Sequence, residues 1–373
     1  MTQITGIRSS TTMGLLTAAL MWAAPASAQR ADGLYAEIRT PKGMIVLRLE
    51  FERTPMTVAN FVGLAEGTLE NDAFELGRPF FDGSRFQRVV PGHVIQGGGA
   101  DSQVSGSSGR PIPNEIHPDL SHDHAGALGM ANGGPHTATN QFYITLGDRS
   151  YLDGDYAVFG EVVEGMDVVM SIVADDAIES IDILRVGEAA EIFRPTPDTF
   201  ARLVSRVENR VRIADEAKRR AEEQFVRSNW PNLGSSGSGW RYVVVREGSG
   251  SPVEHGDSLT VRYTTRSAFG LEFAGVGDQG QLGWPDGGRP FAFVVGTTSI
   301  NPGFDEAVAQ MHRGEKRVVV LPATLAYGRG GHYAPQQPGR HRFHVSPNTM
   351  LVYEVEIMQG PPTPRKSEPI RGN

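Results

Sequence analysis

An arginine interrupts an apolar strand pattern in the first half of the chain. Arg88 lies in the run 86–90, and Gln96 follows eight residues later, directly before the turn Gly97-Gly98. A guanidinium is permanently charged and planar, so it can hold a carbonyl oxygen while it donates to a second group. Taken alone, however, Arg88 is more typical of a surface arginine whose stem lies over apolar neighbours. The residues that accompany it therefore decide the interpretation.

Several short motifs follow Arg88 in a fixed order. They are Gly129-Met130-Ala131-Asn132, Gln141-Phe142-Tyr143-Ile144, Tyr151-Leu152-Asp153-Gly154 and Val158-Phe159-Gly160. Together with F-x-R-x-x-P-G-x-x-x-Q-G-G around Arg88, this series resembles the cyclophilin family of peptidyl-prolyl isomerases over about residues 34–190. The resemblance implies a mainly β domain, an eight-stranded antiparallel barrel capped by two helices, with a substrate groove on its outer face.

The resemblance also implies which side chains meet a substrate. Arg88 would stabilise a twisted amide and Gln96 would position the substrate main chain, so these two are the catalytic candidates. The candidates for substrate binding are Phe86, His93, Val94, Ala131, Asn132, Tyr143, Tyr151, Leu152 and Tyr156.

Four of these positions depart from the family pattern. His93 stands where Phe is usual, Val94 stands where Met is common, and Tyr151 and Tyr156 replace a Trp and a His. We expect a more polar pocket and weak cyclosporin binding, with isomerase activity retained. Because histidine ordinarily titrates at a pKa of about 6.5, His93 is expected to make the activity depend on pH near that value.

The implied reaction is rotation about the X-Pro peptide bond. Its barrier is roughly 20 kcal/mol because amide resonance must be broken. A cationic donor against the prolyl nitrogen favours a pyramidal nitrogen and so stabilises the twisted state. Neither a covalent step, a metal nor a cofactor is needed, and none is expected.

A second and unrelated series of motifs occupies the last third of the chain. Its clearest parts are Asn301-Pro302-Gly303-Phe304, Leu325-Ala326-Tyr327-Gly328 and Val352-Tyr353-Glu354. It resembles the FKBP family, a second prolyl isomerase fold, over about residues 239–360. The resemblance implies a half-open antiparallel sheet around one short helix, here 302–311, and an aromatic basket for the proline ring. The basket positions are Tyr263, Phe273, Phe291, Ile300, Phe304, Tyr327 and Tyr353.

Two departures weaken the catalytic expectation for this second site. Ala274 stands where the family has an Asp after Phe273, and Asn301 replaces an aliphatic residue. Tyr327 through its hydroxyl and Asn301 through its amide would donate to substrate carbonyls. The sequence leaves two alternatives open: slow isomerisation, or binding of extended chains with little turnover.

The segment between the two series changes character. Residues 196–230 begin with the N-cap signal Thr196-Pro197-Asp198 and continue with apolar or Ala residues three or four apart, which predicts a charged helical connector with one apolar stripe. This stripe either packs within the chain, which its alanine content favours, or pairs two chains as a homodimer. Residues 231–239 are rich in Gly and Ser and predict a flexible linker.

The N-terminus has the pattern of a secretory signal peptide. One charge, Arg8, precedes an apolar run over 13–24, and Ala26-Ser27-Ala28 forms a small-residue cleavage site. The run has about 12 residues, whereas a spanning helix needs about 20. The sequence therefore predicts a signal peptide over 1–28, no membrane insertion of the mature chain, and an exported, periplasmic location.

Composition limits the function classes further. The chain has 373 residues, no Cys and a formal net charge of −8. Disulfides, thiolate nucleophiles and Cys-ligated zinc are excluded, and the acidic balance argues against nucleic acid as the main partner. The expected partners are unfolded or partly folded exported polypeptides with X-Pro bonds. The alternative function is a folding chaperone that binds such chains without turnover.

The remaining predictions concern domain bounds and metals. We expect a cyclophilin-like domain over 33–192, an FKBP-like domain over 240–360 and a disordered tail over 361–373. Two histidine groups have ligand-like spacing, but both lie in loops of the two folds and no carboxylate pattern completes them. These groups are His117, His122 and His124, and His332, His341 and His344.

Overall fold

A computed structural model describes residues 30–99, 109–268, 291–297, 301–333 and 343–358. The predicted signal peptide, the predicted tail, Phe273, Ala274, Ile300 and His341 lie outside the described residues. No helix within these ranges combines the length and apolar character needed to cross a membrane.

The first part of the chain forms one antiparallel sheet of eight strands. The strands are β1 Gly33–Thr40, β2 Gly43–Leu49, β3 Arg88–Val90, β4 Val94–Gly97, β5 Ala127–Met130, β6 Phe142–Thr145, β7 Val158–Glu164 and β8 Ser180–Val186. Their order in the sheet is β3-β4-β6-β5-β7-β2-β1-β8. Arg85, just before β3, bridges to Ala177, just before β8, so the two edges of the sheet approach each other as in a barrel.

Helices pack against this sheet around an aromatic core. They are α1 Pro55–Ala65, α2 Met166–Ser171 and α3 Glu188–Ile192. On α1, nearly every residue is buried, and the Phe61 ring lies 5.2–5.5 Å from the rings of Phe81, Phe142 and Phe159. Each buried aromatic contributes about 1.5–3 kcal/mol of transfer free energy. The expected barrel with capping helices is confirmed.

A long helix follows, α4 Pro197–Asn229, which at 1.5 Å per residue is about 50 Å long. The Thr196 side chain accepts from the backbone of Thr199 and Pro197 stands in the first turn, so the predicted N-terminal signal caps the helix. The apolar stripe packs within the chain at both ends of α4. Val207 belongs to the core of the first domain, and Val226 belongs to a cluster with strands of the second.

Polar contacts join α4 to both domains. The buried Glu115 carboxylate accepts from the backbone N–H of Thr57 at 2.8 Å and from Arg210 of α4 at 3.3 Å. Toward the second domain, Lys218 Nζ donates to the Pro347 carbonyl and to Thr349 Oγ1, both at 2.9 Å. The buried Glu222 carboxylate accepts from the Met350 N–H at 3.3 Å. Burial raises the pKa of Glu222.

The second domain is an antiparallel sheet with one short helix. Its elements are β9 Gly234–Ser235, β10 Arg241–Arg246, β11 Ser258–Ser267, β12 Phe291–Val294, α5 Pro302–Ala309, β13 Lys316–Leu321, β14 His332–Tyr333, β15 Phe343–Val345 and β16 Leu351–Ile357. Six strands follow the order β12-β11-β16-β13-β10-β9, and β14 pairs with β15. The mainly β, two-domain prediction is confirmed.

The segment predicted as a flexible linker is folded. Within 231–239, β9 pairs with Arg241 and Tyr242 of β10, and the Ser236 N–H donates to the Trp240 carbonyl at 2.8 Å. The cause is the wholly buried Trp240 directly after it, which fixes the chain to the core of the second domain. Gly and Ser here form a tight turn between two paired strands.

Candidate active sites

A row of residues crosses four neighbouring strands of the barrel. Arg88 on β3 lies opposite Gln96 on β4. Gln96 lies opposite Tyr143 on β6, which in turn lies opposite Gly129 on β5. Directly opposed residues of antiparallel strands emerge on the same face, so the row lies along one surface. The exposed Arg88 guanidinium donates from Nη1 to Gln96 Oε1 over 3.4 Å.

Gln141 belongs to this site although the sequence prediction did not include it. Its side-chain Oε1 accepts from Gln96 Nε2 at 2.7 Å, and its carbonyl accepts from the Ala131 N–H at 2.9 Å. The first bond turns Gln96 so that its own oxygen faces Arg88, and the second brings Ala131 beside the row. The signal was present in the motif Gln141-Phe142-Tyr143, directly before a predicted wall residue.

Gly129 was also absent from the predicted site. A Cβ at this position would lie 2.4 Å from Cζ and Oη of Tyr143, so the Tyr143 ring lies directly over the glycine. Gly129 precedes Met130-Ala131-Asn132, which the sequence did mark. The need for glycine arises from contact across two strands, which no local pattern reveals.

A buried chain of hydrogen bonds holds the Tyr143 ring. His122 Nδ1 lies 2.6 Å from Asp153 Oδ1, and His122 Nε2 lies 2.7 Å from the Tyr143 hydroxyl. Burial lowers the pKa of His122, although Asp153 opposes the shift. A neutral ring can donate from Nδ1 to Asp153 and accept from Tyr143 at Nε2. The Tyr143 hydroxyl is thereby engaged in the interior, and its ring serves the groove much as a phenylalanine would.

The contact with Tyr143 gives a structural role to His122, one of the three histidines whose spacing resembled that of metal ligands. His122 is buried between Tyr143 and Asp153, whereas His117 and His124 lie nearer the surface. Within the part of the chain that the structure describes, no three His, Asp or Glu side chains are grouped closely enough to hold a metal ion.

His93 and Tyr151 form a polar wall beside the row. The Tyr151 ring stacks on His93 with 6.2 Å between centroids, and its hydroxyl lies 3.4 Å from His93 Nδ1. Arg149 Nε donates to the same nitrogen at 3.0 Å. Burial, followed by the charges of Arg149 and Arg88, lowers the pKa of His93. The expectation of an ordinary pKa near 6.5 is therefore wrong, because burial and, after it, two neighbouring arginines disfavour the charged imidazole.

The other predicted residues of the first site differ in exposure. Phe86 has no exposed surface and packs edge-on against Phe142 at 6.4 Å, so it supports the strand from inside and does not line the groove. Val94 is 3% exposed. Tyr156 lies edge-on to Tyr143 at 5.9 Å, Leu152 ends the short helical turn Ser150–Leu152, and the Asn132 amide donates to the Asp155 carbonyl at 3.0 Å.

The second site has an aromatic centre. The rings of Tyr263, Phe304 and Tyr353 pack with centroids 5.0–5.8 Å apart. Tyr353 and Phe304 have no exposed surface, and Tyr263 is 6% exposed. Burial raises the pKa of Tyr263 and of Tyr353, so both hydroxyls remain protonated. The structure thus brings together three of the predicted basket residues.

Asn301 and Tyr327 lie beside these rings. The Asn301 side chain caps α5 by accepting from the Phe304 N–H at 3.0 Å, and it donates from Nδ2 to the Tyr353 hydroxyl at 2.8 Å. Its side-chain amide is thus buried and bonded within the site. The contact of an Asn301 amide with a substrate carbonyl stays a prediction. Burial raises the pKa of Tyr327, while hydrogen bonds with Asn301 and Tyr353 oppose this. Phe291 lies on β12, and its side chain is outside the described part.

Two family models match the chain. Residues 35–188 match the cyclophilin type peptidyl-prolyl cis-trans isomerases, and residues 250–358 match the FKBP-type peptidyl-prolyl cis-trans isomerases.

Individual proteins resemble the first of these regions. A probable peptidyl-prolyl cis-trans isomerase A of Mycobacterium leprae is 41% identical over 133 residues, which cover 35% of this chain and 73% of that protein. The isomerase ppi1 of Schizosaccharomyces pombe is 37% identical over 158 residues, which cover 40% of this chain and 95% of that protein. A solved cyclophilin type isomerase of Cryptosporidium parvum is 25% identical, with 41% of this chain and 98% of that chain covered and a TM-score of 0.36.

Proposed function

We propose a role in the folding of exported proteins, and the premise is that this chain belongs to the peptidyl-prolyl cis-trans isomerases, with a cyclophilin-type domain followed by an FKBP-type domain. The chain catalyses cis/trans isomerisation of X-Pro peptide bonds. Its substrates in the cell are unfolded or partly folded polypeptides that have been exported.

The row of Arg88, Gln96 and Tyr143 carries the assignment of the catalytic residues. The Tyr143 ring and the buried Val94 offer an apolar surface to a proline ring, and the exposed guanidinium of Arg88 lies two strands away on the same face. Arg88 donates to the prolyl nitrogen as that nitrogen becomes pyramidal, which lowers a barrier of roughly 20 kcal/mol. Gln96, held by Gln141, receives the substrate main chain.

Substitution in the full-length chain tests this assignment. Arg88→Ala should reduce kcat/KM for a short Pro peptide by at least tenfold at the first site. The control Arg39→Ala, which removes an exposed arginine on β1 that pairs with Asp182 on β8, should not. Because the second domain can contribute activity, both changes are also measured with Tyr327→Phe. Full activity of Arg88→Ala with Tyr327→Phe would refute the assignment.

A chain-binding chaperone is the second candidate, and the second domain favours it. The Asn301 side chain is engaged by Phe304 and Tyr353, which leaves fewer polar groups for a reacting amide there. If chain binding is the main activity, suppression of client aggregation should survive both Arg88→Ala and Tyr327→Phe. Loss of suppression together with isomerisation would favour catalysis.

The sequence supports export and a periplasmic location. The apolar run over 13–24 and the site Ala26-Ser27-Ala28 support removal of residues 1–28. N-terminal sequencing of the protein from a periplasmic fraction should begin at Gln29. A homodimer through the apolar stripe of α4 would have to displace Val207 and Val226 from their cores, so we expect a monomer in sedimentation.

A further inference from the structure

Arg149 lies next to the polar wall of His93 and Tyr151, and the isomerase mechanism does not explain why a cation stands there. Arg149 Nε donates to His93 Nδ1 at 3.0 Å, and Arg149 Nη1 donates to the carbonyl of Asp148. The first bond requires a lone pair on His93 Nδ1, so the imidazole is neutral and carries its hydrogen on Nε2. His93 thereby fixes the Arg149 side chain at the edge of the groove.

No Asp or Glu in the described ranges forms an ion pair with the Arg149 guanidinium. Neither Arg149 nor Arg88 has an Asp or Glu oxygen of a described residue within 4.0 Å, whereas Arg185 and Arg241 are each paired with a glutamate. The nearest acid in sequence, Asp148, directs its carboxylate to the N–H and hydroxyl of Ser150, at 2.9 and 2.6 Å. Two arginines that have no carboxylate partner within the described ranges therefore lie near His93, in a chain whose net charge is −8.

The two arginines have different surroundings. Arg88 lies in the row with Gln96 and Tyr143, where it is committed to the reacting amide. Arg149 lies beside His93 in the loop that leads into Tyr151, and within the described part of the chain its guanidinium donates from Nε and Nη1 alone. Its remaining N–H groups can form a charge-assisted hydrogen bond with a side chain that enters the groove.

We propose that Arg149 is a specificity-determining residue that binds the carboxylate of a client residue adjacent to the proline. The inference rests on the proposed function of the first site and names its preferred substrate class: Pro-containing segments with Glu or Asp beside the X-Pro bond. His93 serves this preference by orienting Arg149.

Matched peptides test the proposal with the full-length chain. Two pairs are compared that differ only in Glu against Gln, one pair at the residue before proline and one at the residue after it. The kcat/KM of the Arg88→Ala variant on each peptide is subtracted from that of the unmodified chain. The Glu-to-Gln ratio of the remaining kcat/KM then reports the first site. We expect Glu to exceed Gln by roughly five- to tenfold at one of the two positions at low salt, and the ratio to approach one at 1 M NaCl.

Variants at position 149 distinguish an effect of the Arg149 charge from a general effect on the structure. Arg149→Gln should bring the Glu-to-Gln ratio close to one, and Arg149→Lys should retain part of it because the charge remains. Arg39→Gln removes the same charge from the distant strand β1 and should leave the ratio intact. A ratio of one in the unmodified chain, or a ratio that Arg149→Gln leaves unchanged, overturns the proposal while isomerisation of the Gln peptides upholds the function. No acceleration of any peptide overturns both.

Discussion

Two tyrosines of the first groove illustrate how one residue type takes different roles at neighbouring positions. The Tyr143 hydroxyl is bonded to the buried His122, so that tyrosine adds no polarity to the groove. Tyr151 instead directs its hydroxyl toward the partly exposed His93. The sequence predicts both as substrate-binding residues, but the sequence does not show that a distant histidine makes one of them apolar and the other polar toward the groove.

His93 should control the pH dependence of the first site. Its folded pKa is lowered by burial and by two arginines, so it gains a proton only below the ordinary value of about 6.5. Protonation would place an N–H on Nδ1 against Arg149 and break their hydrogen bond. We therefore expect kcat/KM to fall as pH decreases below 6.5, and His93→Phe to flatten this fall. Peptide isomerisation measured from pH 5 to 8 checks it, and an identical profile in the variant would contradict it.

Gly129 should be intolerant of even a methyl group. A Cβ there would meet Cζ and Oη of Tyr143 at 2.4 Å, and His122 restrains the ring from moving away. Gly129→Ala should cost about 1–3 kcal/mol of unfolding free energy and raise KM for a Pro peptide several-fold. Gly133→Ala is the control, because the one described atom that its Cβ would meet is Thr137 Oγ1, at 3.7 Å. Equal effects of the two substitutions would argue against a specific role for the Gly129 contact.

At the scale of elements, α4 shows where sequence patterns succeed and where they fail. The cap and the apolar stripe predict its start, its length and the packing of its first half. The second half offers mainly Ala, which leaves either weak or close packing as the expectation, and the structure shows the close case, with Glu222 and Val226 buried. A buried Glu cannot be found from periodicity, because a charged residue is ordinarily assigned to the solvent-facing side until its partner, here the Met350 N–H, is known.

Val226 should anchor α4 to the second domain. It has no exposed surface and packs in a cluster with Val318, Val320 and Val352. Val226→Ala should lower the free energy of unfolding by about 2 kcal/mol, since it removes buried methyl groups and leaves a cavity. Ile213→Ala on the same helix is the control: Ile213 is 59% exposed, and its loss should cost less than about 0.5 kcal/mol. Denaturant titrations followed by tryptophan fluorescence measure both, and similar midpoints for the two variants would contradict the packing argument.

At the scale of the whole molecule, two isomerase domains are joined by one helix that belongs to both. Motif order identifies each domain from the sequence, because the predicted proline-binding residues are concentrated in a few short segments. The contact between α4 and the second domain is harder to predict from the sequence. It depends on Lys218 and Glu222 meeting the segment 347–350, more than a hundred residues away, and such pairs of distant polar groups have no local signature.

Removal of these polar groups should loosen the second domain. The double variant Lys218→Ala with Glu222→Ala eliminates bonds to Pro347, Thr349 and Met350. We expect the unfolding transition of the FKBP-type domain to move down by roughly 5–10 °C, with that of the cyclophilin-type domain nearly unchanged. Calorimetry measures the two transitions, and small-angle scattering should report a larger radius of gyration. An unshifted second transition would show that the apolar cluster around Val226 suffices.

The division of α4 between two cores has a practical meaning for dissecting the molecule. The matched families end at residue 188 and resume at 250, which invites a cut between them. A chain ended at 195 would lose Leu203, Val204 and Val207, and would leave the apolar side of α1 without its cover. The boundary between the two domains therefore lies within α4. Each domain must keep its own portion of this helix if it is to be exchanged, fused or studied by itself.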